Sequence, residues 1–376
     1  MVFIAAFSHF FTDFFGAFFK PMAPYFMSLY QIDSSTFGST LGIISSSASL
    51  LQIFFGFLFD RTRRDGLLLF SLLMSQLVIL TILVFIRNYY LLMLFIFISI
   101  MINSAYHPLG AGLAGRTQKA RAIAVFSIFG TFGSALGPVF ITAFSSRFEF
   151  HSIAWITLAS GAVLILLFPK MAPIKKEEQV LKRLPTWAIF KLLVPCFIAV
   201  ILRSIVMDQF HTFVPIYFNM LNAPLTLGGM VLTIGMLTGL VTNYVGSRWI
   251  LKVGIFRINL AGFTGMGLAG LLFVLLPGFA LKIAMFALFD SAGFLTMSAN
   301  IVHAQSLVPN NRAFASSVTM GLAWSIGGYI GAGVSAVLGN HVPVLLTVLA
   351  GFSLIVAMLY LFFIVRKQKT KRPAEA

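Results

Sequence analysis

The chain has 376 residues, of which 59% are hydrophobic and only 10% charged, with a formal net charge of +16. Soluble domains carry about 25% charged residues, so this supply cannot cover a water-exposed surface on a chain of this length. The basic residues fall in short breaks between apolar runs, on alternate breaks only, which excludes a nucleic-acid-binding stripe and leaves a multi-pass membrane protein in a lipid bilayer.

In chain order, polar and Pro/Gly breaks delimit twelve apolar segments. They cover residues 2–30, 36–59, 67–86, 91–114, 121–146, 152–168, 187–218, 226–250, 255–276, 281–305, 312–338 and 344–365. Such runs are long enough to cross a hydrocarbon core of about 30 Å. The first run begins at Val2 with no basic region before it and no small-residue cleavage site, so it is expected to be a membrane helix and not a signal peptide. The longest polar stretch, Lys170 to Pro185, divides the chain into a first six-helix bundle (1–168), a cytoplasmic linker (169–186), a second bundle (187–366) and a cytoplasmic tail (367–376). Cys196 is the single cysteine and lies in an apolar run; it is a packing residue and excludes a disulfide framework.

Loops 60–66, 115–121, 170–185, 248–257 and 306–312, with the tail 366–372, hold 20 Lys and Arg, whereas the opposite loops hold only Arg87, Arg147 and Lys282. That bias places both termini and the linker in the cytoplasm of a plasma (bacterial inner) membrane. The halves also echo each other at an offset of 191: Arg121, Ala122, Ala124, Gly130, Ser134 and Gly137 fall on Arg312, Ala313, Ala315, Gly321, Ser325 and Gly328. With the six-plus-six hydropathy this fits two homologous bundles about a central cavity.

Between segments 2 and 3 stands Gly56-Phe-Leu-Phe-Asp60-Arg61-Thr62-Arg63-Arg64. It resembles the G-x-L-x-D-R-x-G-R-R loop of the major facilitator superfamily, which latches the two bundles; Arg63 replaces the second glycine of that pattern. Physically, Gly56 permits close helix approach, Asp60 can cap a neighbouring helix, and Arg61 and Arg64 anchor the loop at the inner surface. Segment 5 carries Gly130-Thr-Phe-Gly133-Ser-Ala-Leu-Gly137-Pro138, whose small residues allow two helices to touch while Pro138 bends the helix. It resembles the G-x-x-x-G-P motif associated with antiporters of that superfamily.

Polar residues inside the apolar segments complete the pattern: Ser8-His9-Phe-Phe-Thr12-Asp13, Ser49-Leu-Leu-Gln52, Tyr106-His107-Pro108 and Val302-His303-Ala-Gln305-Ser-Leu-Val-Pro309. In order and spacing these, with the segment 5 motif, are similar to the fosmidomycin-resistance family of major facilitator transporters. The resemblance spans nearly the whole chain and implies a proton-driven drug exporter with the twelve-helix, two-bundle, all-α fold. It departs at Leu109-Gly110, where those exporters place an acidic residue after His-Pro, and this leaves another cargo open.

Ionisable groups at lipid depth are costly and mark function. His9 and Asp13 are four apart on one helical face and form a candidate proton relay, with a purely structural tie between helices as the alternative. His107 precedes Pro108, which is expected to interrupt segment 4, and with Tyr106 and Gln52 it is a candidate cargo contact. Lys20 and Arg203 are cations deep in segments 1 and 7. Either they face the cavity and suit an anionic cargo, or Arg203 pairs with Asp208 and Lys20 with an acid across the cavity. Asp208, Gln209 and His211 in segment 7 and Asn243 in segment 8 are further candidates for cargo, as are Asp290 and Asn300 in segment 10. His303 and Gln305 near the inner end of that segment suit gating, as do Asp60, Arg61, Arg64, Gly133, Gly137 and Pro138. No phosphate-binding G-x-x-x-x-G-K-[ST] and no H-E-x-x-H occurs, so no cofactor, metal or enzymatic activity is expected. The expected function is proton-coupled export of a small anionic or amphiphilic molecule by a monomer. Proton- or sodium-coupled uptake of a sugar, carboxylate or lipid-like metabolite is the alternative, and an intramembrane enzyme the remote one.

Overall fold

A computed structural model describes residues 2–60, 64–115, 120–171, 187–309 and 312–371. The described residues are helical throughout, joined by short turns. Lipid offers no partner for backbone N–H and C=O groups, so a chain this apolar satisfies them within helices. Ten helices are long and apolar enough to cross a membrane among the described residues.

The first apolar segment is not one helix. Helix α1 (Val2–Gly16) ends in a turn, and the chain resumes as α2 (Ala23–Tyr30). The intervening stretch contains Pro21, which lacks an N–H and biases Lys20 away from helical geometry, while Pro24 opens α2 as a favoured first-turn residue. Then follow α3 (Ser34–Asp60), α4 (Asp65–Leu83), α5 (Tyr89–Gly115), α6 (Ala120–Ser145) and α7 (Ile153–Met171). Pro108 does not interrupt its segment: α5 runs continuously through it, as α6 runs through Pro138.

The second half comprises α8 (Trp187–Met220), α9 (Leu225–Val253), α10 (Ile255–Leu275) and α11 (Phe279–Leu307). A short α12 (Arg312–Ser316) passes through a π-helical turn, Ser317–Leu322, into α13 (Ala323–Leu338), and α14 (Val342–Lys371) ends the described chain. The wide turn contains Gly321, the counterpart at an offset of 191 of Gly130 in α6. Helix α14 extends beyond the apolar run into the basic tail, because Arg and Lys are good helix formers and the last turn favours cations.

Two compact units result: Met1–Leu184 with Val214–Thr233, and Pro185–Phe213 with Ile234–Ala376. In the first, α1 lies against α6 at very short range. A side chain at Gly133 would strike the Phe10 carbonyl, and one at Gly137 would sit 2.6 Å from the Phe14 carbonyl. In the second, α10 packs against α11 and α14. A buried amide pair joins two of these helices, Asn300 Nδ2 donating to Asn259 Oδ1 at 2.8 Å and Asn259 Nδ2 returning to Asn300 Oδ1 at 3.3 Å. Lys282 caps the end of α10 by donating to the carbonyls of Phe273 (2.9 Å) and Val274 (3.1 Å).

Candidate functional site

Three helices of the first unit bring a polar cluster together. From α1 come His9 and Asp13, whose i,i+4 spacing puts His9 Nε2 3.3 Å from Asp13 Oδ2. From α5 comes His107, with Nε2 3.6 Å from Asp13 Oδ1. Asn103, one turn earlier, donates from Nδ2 to Asp13 Oδ1 at 3.0 Å and to the Thr12 carbonyl at 3.2 Å. From α6, the Ser134 hydroxyl approaches Asp13 Oδ2 at 3.4 Å. Both carboxylate oxygens therefore have partners, as a buried acid requires.

The His9 ring is fixed on every side. Its Nδ1 is 2.8 Å from the Phe126 carbonyl, a pure acceptor, so Nδ1 carries a hydrogen and donates it. The ring stacks on Phe126 with centroids 3.9 Å apart and lies edge-on to His107 at 5.2 Å. Gly130 makes room for it, since a side chain there would collide with all the imidazole edges it faces, Nδ1 being 2.5 Å away. Nε2 thus has one destination, the Asp13 carboxylate.

The donor atoms of His9, Asp13 and His107 lie within 4.8 Å of one another. A metal is nonetheless a poor occupant. Asn103 uses its amide nitrogen for Thr12 and Asp13, so its oxygen faces His107 Nε2 at 3.2 Å. That nitrogen must then carry a hydrogen and has no lone pair to offer.

Support for the cluster comes from residues that sequence reasoning passed over. Gln76 on α4 is fully buried; the Thr12 hydroxyl donates to its Oε1 (2.7 Å) and its Nε2 donates to the Thr12 carbonyl (2.9 Å). A lone amide in an otherwise apolar run was the available signal. For Asn103 the signal was its place four residues before His107 on the same face.

The other expected site residues lie as follows. Tyr106 is buried with its hydroxyl 2.8 Å from the Ser8 hydroxyl and donating to the Ala5 carbonyl at 3.0 Å. Lys20 is half-buried in the turn between α1 and α2, and Gln52 is half-buried on α3. Gly133 and Gly137 form the α6 face against α1, while the Pro138 carbonyl lies beside Gly229 of α9. In the second unit Arg203 is buried, donates from Nε to the Gly293 carbonyl at 2.8 Å and lies over the Phe294 ring. Asp208 accepts a long bond of 3.4 Å from Gln209. His211 Nε2 meets Asp290 Oδ1 at 2.7 Å, a pairing across 79 residues that spacing alone does not reveal. Asn243 Oδ1 accepts from the backbone N–H and hydroxyl of Ser298, linking α9 to α11. His303 is half-buried near the end of α11, where Gln305 donates to the Ser316 hydroxyl at 2.8 Å. Arg64 is exposed at the start of α4; Arg61, Arg63 and the Asp60 side chain lie outside the described residues.

Ten helices among the described residues are long and apolar enough to cross a membrane, and an acid–imidazole cluster joins α1 to two of them, α5 and α6, which is the architecture of a multi-pass membrane protein. The chain belongs to the Major Facilitator Superfamily, whose family profile matches residues 3–332. It is 23% identical over 287 residues to the fosmidomycin resistance protein of Escherichia coli (strain K12), covering 69% of this chain and 67% of that one. Its fold is similar to that of a mutant nucleoside transporter NupG (TM-score 0.77, 17% identity, 96% of this chain and 99% of the other). It is also similar to a peptide transporter POT in complex with sulfate (TM-score 0.79, 13% identity, 97% and 94%). The chain is thus a membrane transporter by family and shares the fold of these solved transporters.

Proposed function

We propose that this transporter exports a small anionic or amphiphilic compound against its gradient, driven by protons carried on His9 and Asp13. The observation that carries this is the fixed tautomer of His9. With its hydrogen on Nδ1 committed to the Phe126 carbonyl, a neutral His9 points the Nε2 lone pair at Asp13 Oδ2 across 3.3 Å. Two acceptors at that distance repel unless a proton lies between them. One exchangeable proton, held either as a carboxylic acid or as an imidazolium, resolves the conflict. His107, the more exposed of the two imidazoles, is the relay to water.

Within this reading the chain has twelve spans in two six-helix bundles, α1 with α2 counting as one span and α12 with α13 as another, and both termini are cytoplasmic. It works by alternating access as a monomer in the bacterial inner membrane. Lys20 and Arg203 are the cations suited to an anionic cargo, and His107 and Gln52 are the polar residues expected to contact it. The likeness to the fosmidomycin resistance protein makes fosmidomycin the first compound to try. Uptake of a different metabolite is the second reading, favoured by one feature. Gly110 packs under the Tyr106 ring, a side chain there coming 2.7 Å from the phenol, so position 110 has no room for an acidic side chain.

The test uses purified protein in proteoliposomes with radiolabelled fosmidomycin. Asp13→Asn should abolish accumulation driven by a pH gradient while leaving exchange of labelled for unlabelled compound. Undiminished accumulation by the variant would overturn the proton-carrying role of Asp13.

A further inference from the structure

We propose that His211 and Asp290 form a second proton-binding site, contained within the second compact unit and independent of His9 and Asp13. Asp290 lies in the middle of α11 and has 0% exposure. Its Oδ1 is 2.7 Å from His211 Nε2, in the range of charge-assisted bonds. Its Oδ2 is buried and meets no hydrogen-bond partner among the described residues. An ionised carboxylate with one oxygen unanswered at low dielectric carries an uncompensated desolvation cost, and binding a proton to the pair relieves it.

The surroundings fit a sealed proton site. Helix α9 passes over the carboxylate at Gly235, where a side chain would collide with Asp290 Oδ2 and come 2.7 Å from the Phe286 ring. Among the described residues, the charged group that acts on the pair is Arg203 of α8, which bonds the Gly293 carbonyl three residues beyond Asp290 and attracts its carboxylate, while Asp208 lies one turn before His211 on the same helix. Along this stretch α10 presents Gly265 against Ala292 and Phe273 against Phe286, neither of which titrates. On α11 itself Lys282 is turned to the carbonyls of Phe273 and Val274.

With Asp290 ionised and His211 neutral, Arg203 and Asp290 cancel. One added proton leaves a single positive charge in the interior, where charge is expensive unless balanced. An anion arriving with that proton restores neutrality. The proton site stands on the pair's own geometry, whereas its use in moving an anion rests on the proton-coupled reading above.

Proton uptake by the purified full-length protein, without cargo, tests this. Wild type is compared with His9→Asn/Asp13→Asn and with His211→Asn/Asp290→Asn during acidification through neutral pH, using a calibrated pH indicator. Each double variant should bind one proton fewer than wild type. Uptake by His211→Asn/Asp290→Asn equal to wild type overturns the proposal, even where the His9/Asp13 variant loses its proton. Loss from the His211/Asp290 variant alone supports it while refuting the first site. If the double variant does not purify, His211→Gln keeps an N–H for Oδ1 but removes the imidazole. Proton uptake by that variant should then fall below that of wild type, and unchanged uptake overturns the proposal.

Discussion

Replacing Gly130 by Ala places a methyl group inside the space of the His9 ring. The helix backbones are not the obstacle there; the nearest atoms are those of the imidazole, so the ring must turn. Turning breaks the Nδ1 bond to the Phe126 carbonyl and moves Nε2 away from Asp13. Overpacking costs about 1–3 kcal/mol, and loss of a buried hydrogen bond adds about 0.5–1.5 kcal/mol. The gain in helix propensity from Gly to Ala returns up to about 1 kcal/mol. A net destabilisation of about 0.5–4.5 kcal/mol follows from these terms. Thermal unfolding in detergent reads the stability, and gradient-driven fosmidomycin accumulation reads the coupling. Gly112→Ala is the control, because nothing lies within 4 Å of a side chain there. Gly133→Ala is the contrast: its collision is with the rigid Phe10 carbonyl, so it should cost more stability by separating α1 from α6. Gly130→Ala with wild-type stability and wild-type accumulation would refute the argument that Gly130 holds His9 in place.

Gln76→Leu removes both bonds to Thr12 and should lower stability by about 1–3 kcal/mol, while Asp13, no longer braced from α4, should lose gradient-driven accumulation before it loses exchange. Asn300→Leu leaves Asn259 Oδ1 without its donor at about 1–3 kcal/mol, and the double variant Asn259→Leu/Asn300→Leu should cost less than the two single changes added; strict additivity in unfolding measurements would contradict the reciprocal pair. Lys20→Ala and Arg203→Ala should each erode the preference for anionic over neutral ligands in a binding assay, and an unchanged preference would exclude them from the cargo site.

Much of the fold is legible in the sequence because bilayer thickness acts on composition alone. Apolar runs matched helices at most edges, and the glycines of segment 5 mark a true close approach to α1. What was missed depends on backbone chemistry or on distance along the chain. The turn after Gly16 follows from Pro21 and Pro24, yet hydropathy is blind to it. Pro108 does not interrupt α5, since a proline forfeits only one helical bond and the flanking turns continue. At the site, the i,i+4 meeting of His9 and Asp13 is readable from spacing. The convergence of Asn103, Ser134 and Gln76 is not, because tertiary packing of α4, α5 and α6 creates it. The His211–Asp290 bond is of the same kind.

The most direct measurement of proton coupling is a simultaneous record of cargo and proton movement. Proteoliposomes enclosing a pH-sensitive dye receive a fosmidomycin gradient with no imposed pH gradient. Fosmidomycin flux through the wild-type protein should drive a change of internal pH that stops in Asp13→Asn, although the variant still exchanges cargo. Fosmidomycin flux through the wild type with no change in internal pH would contradict the account.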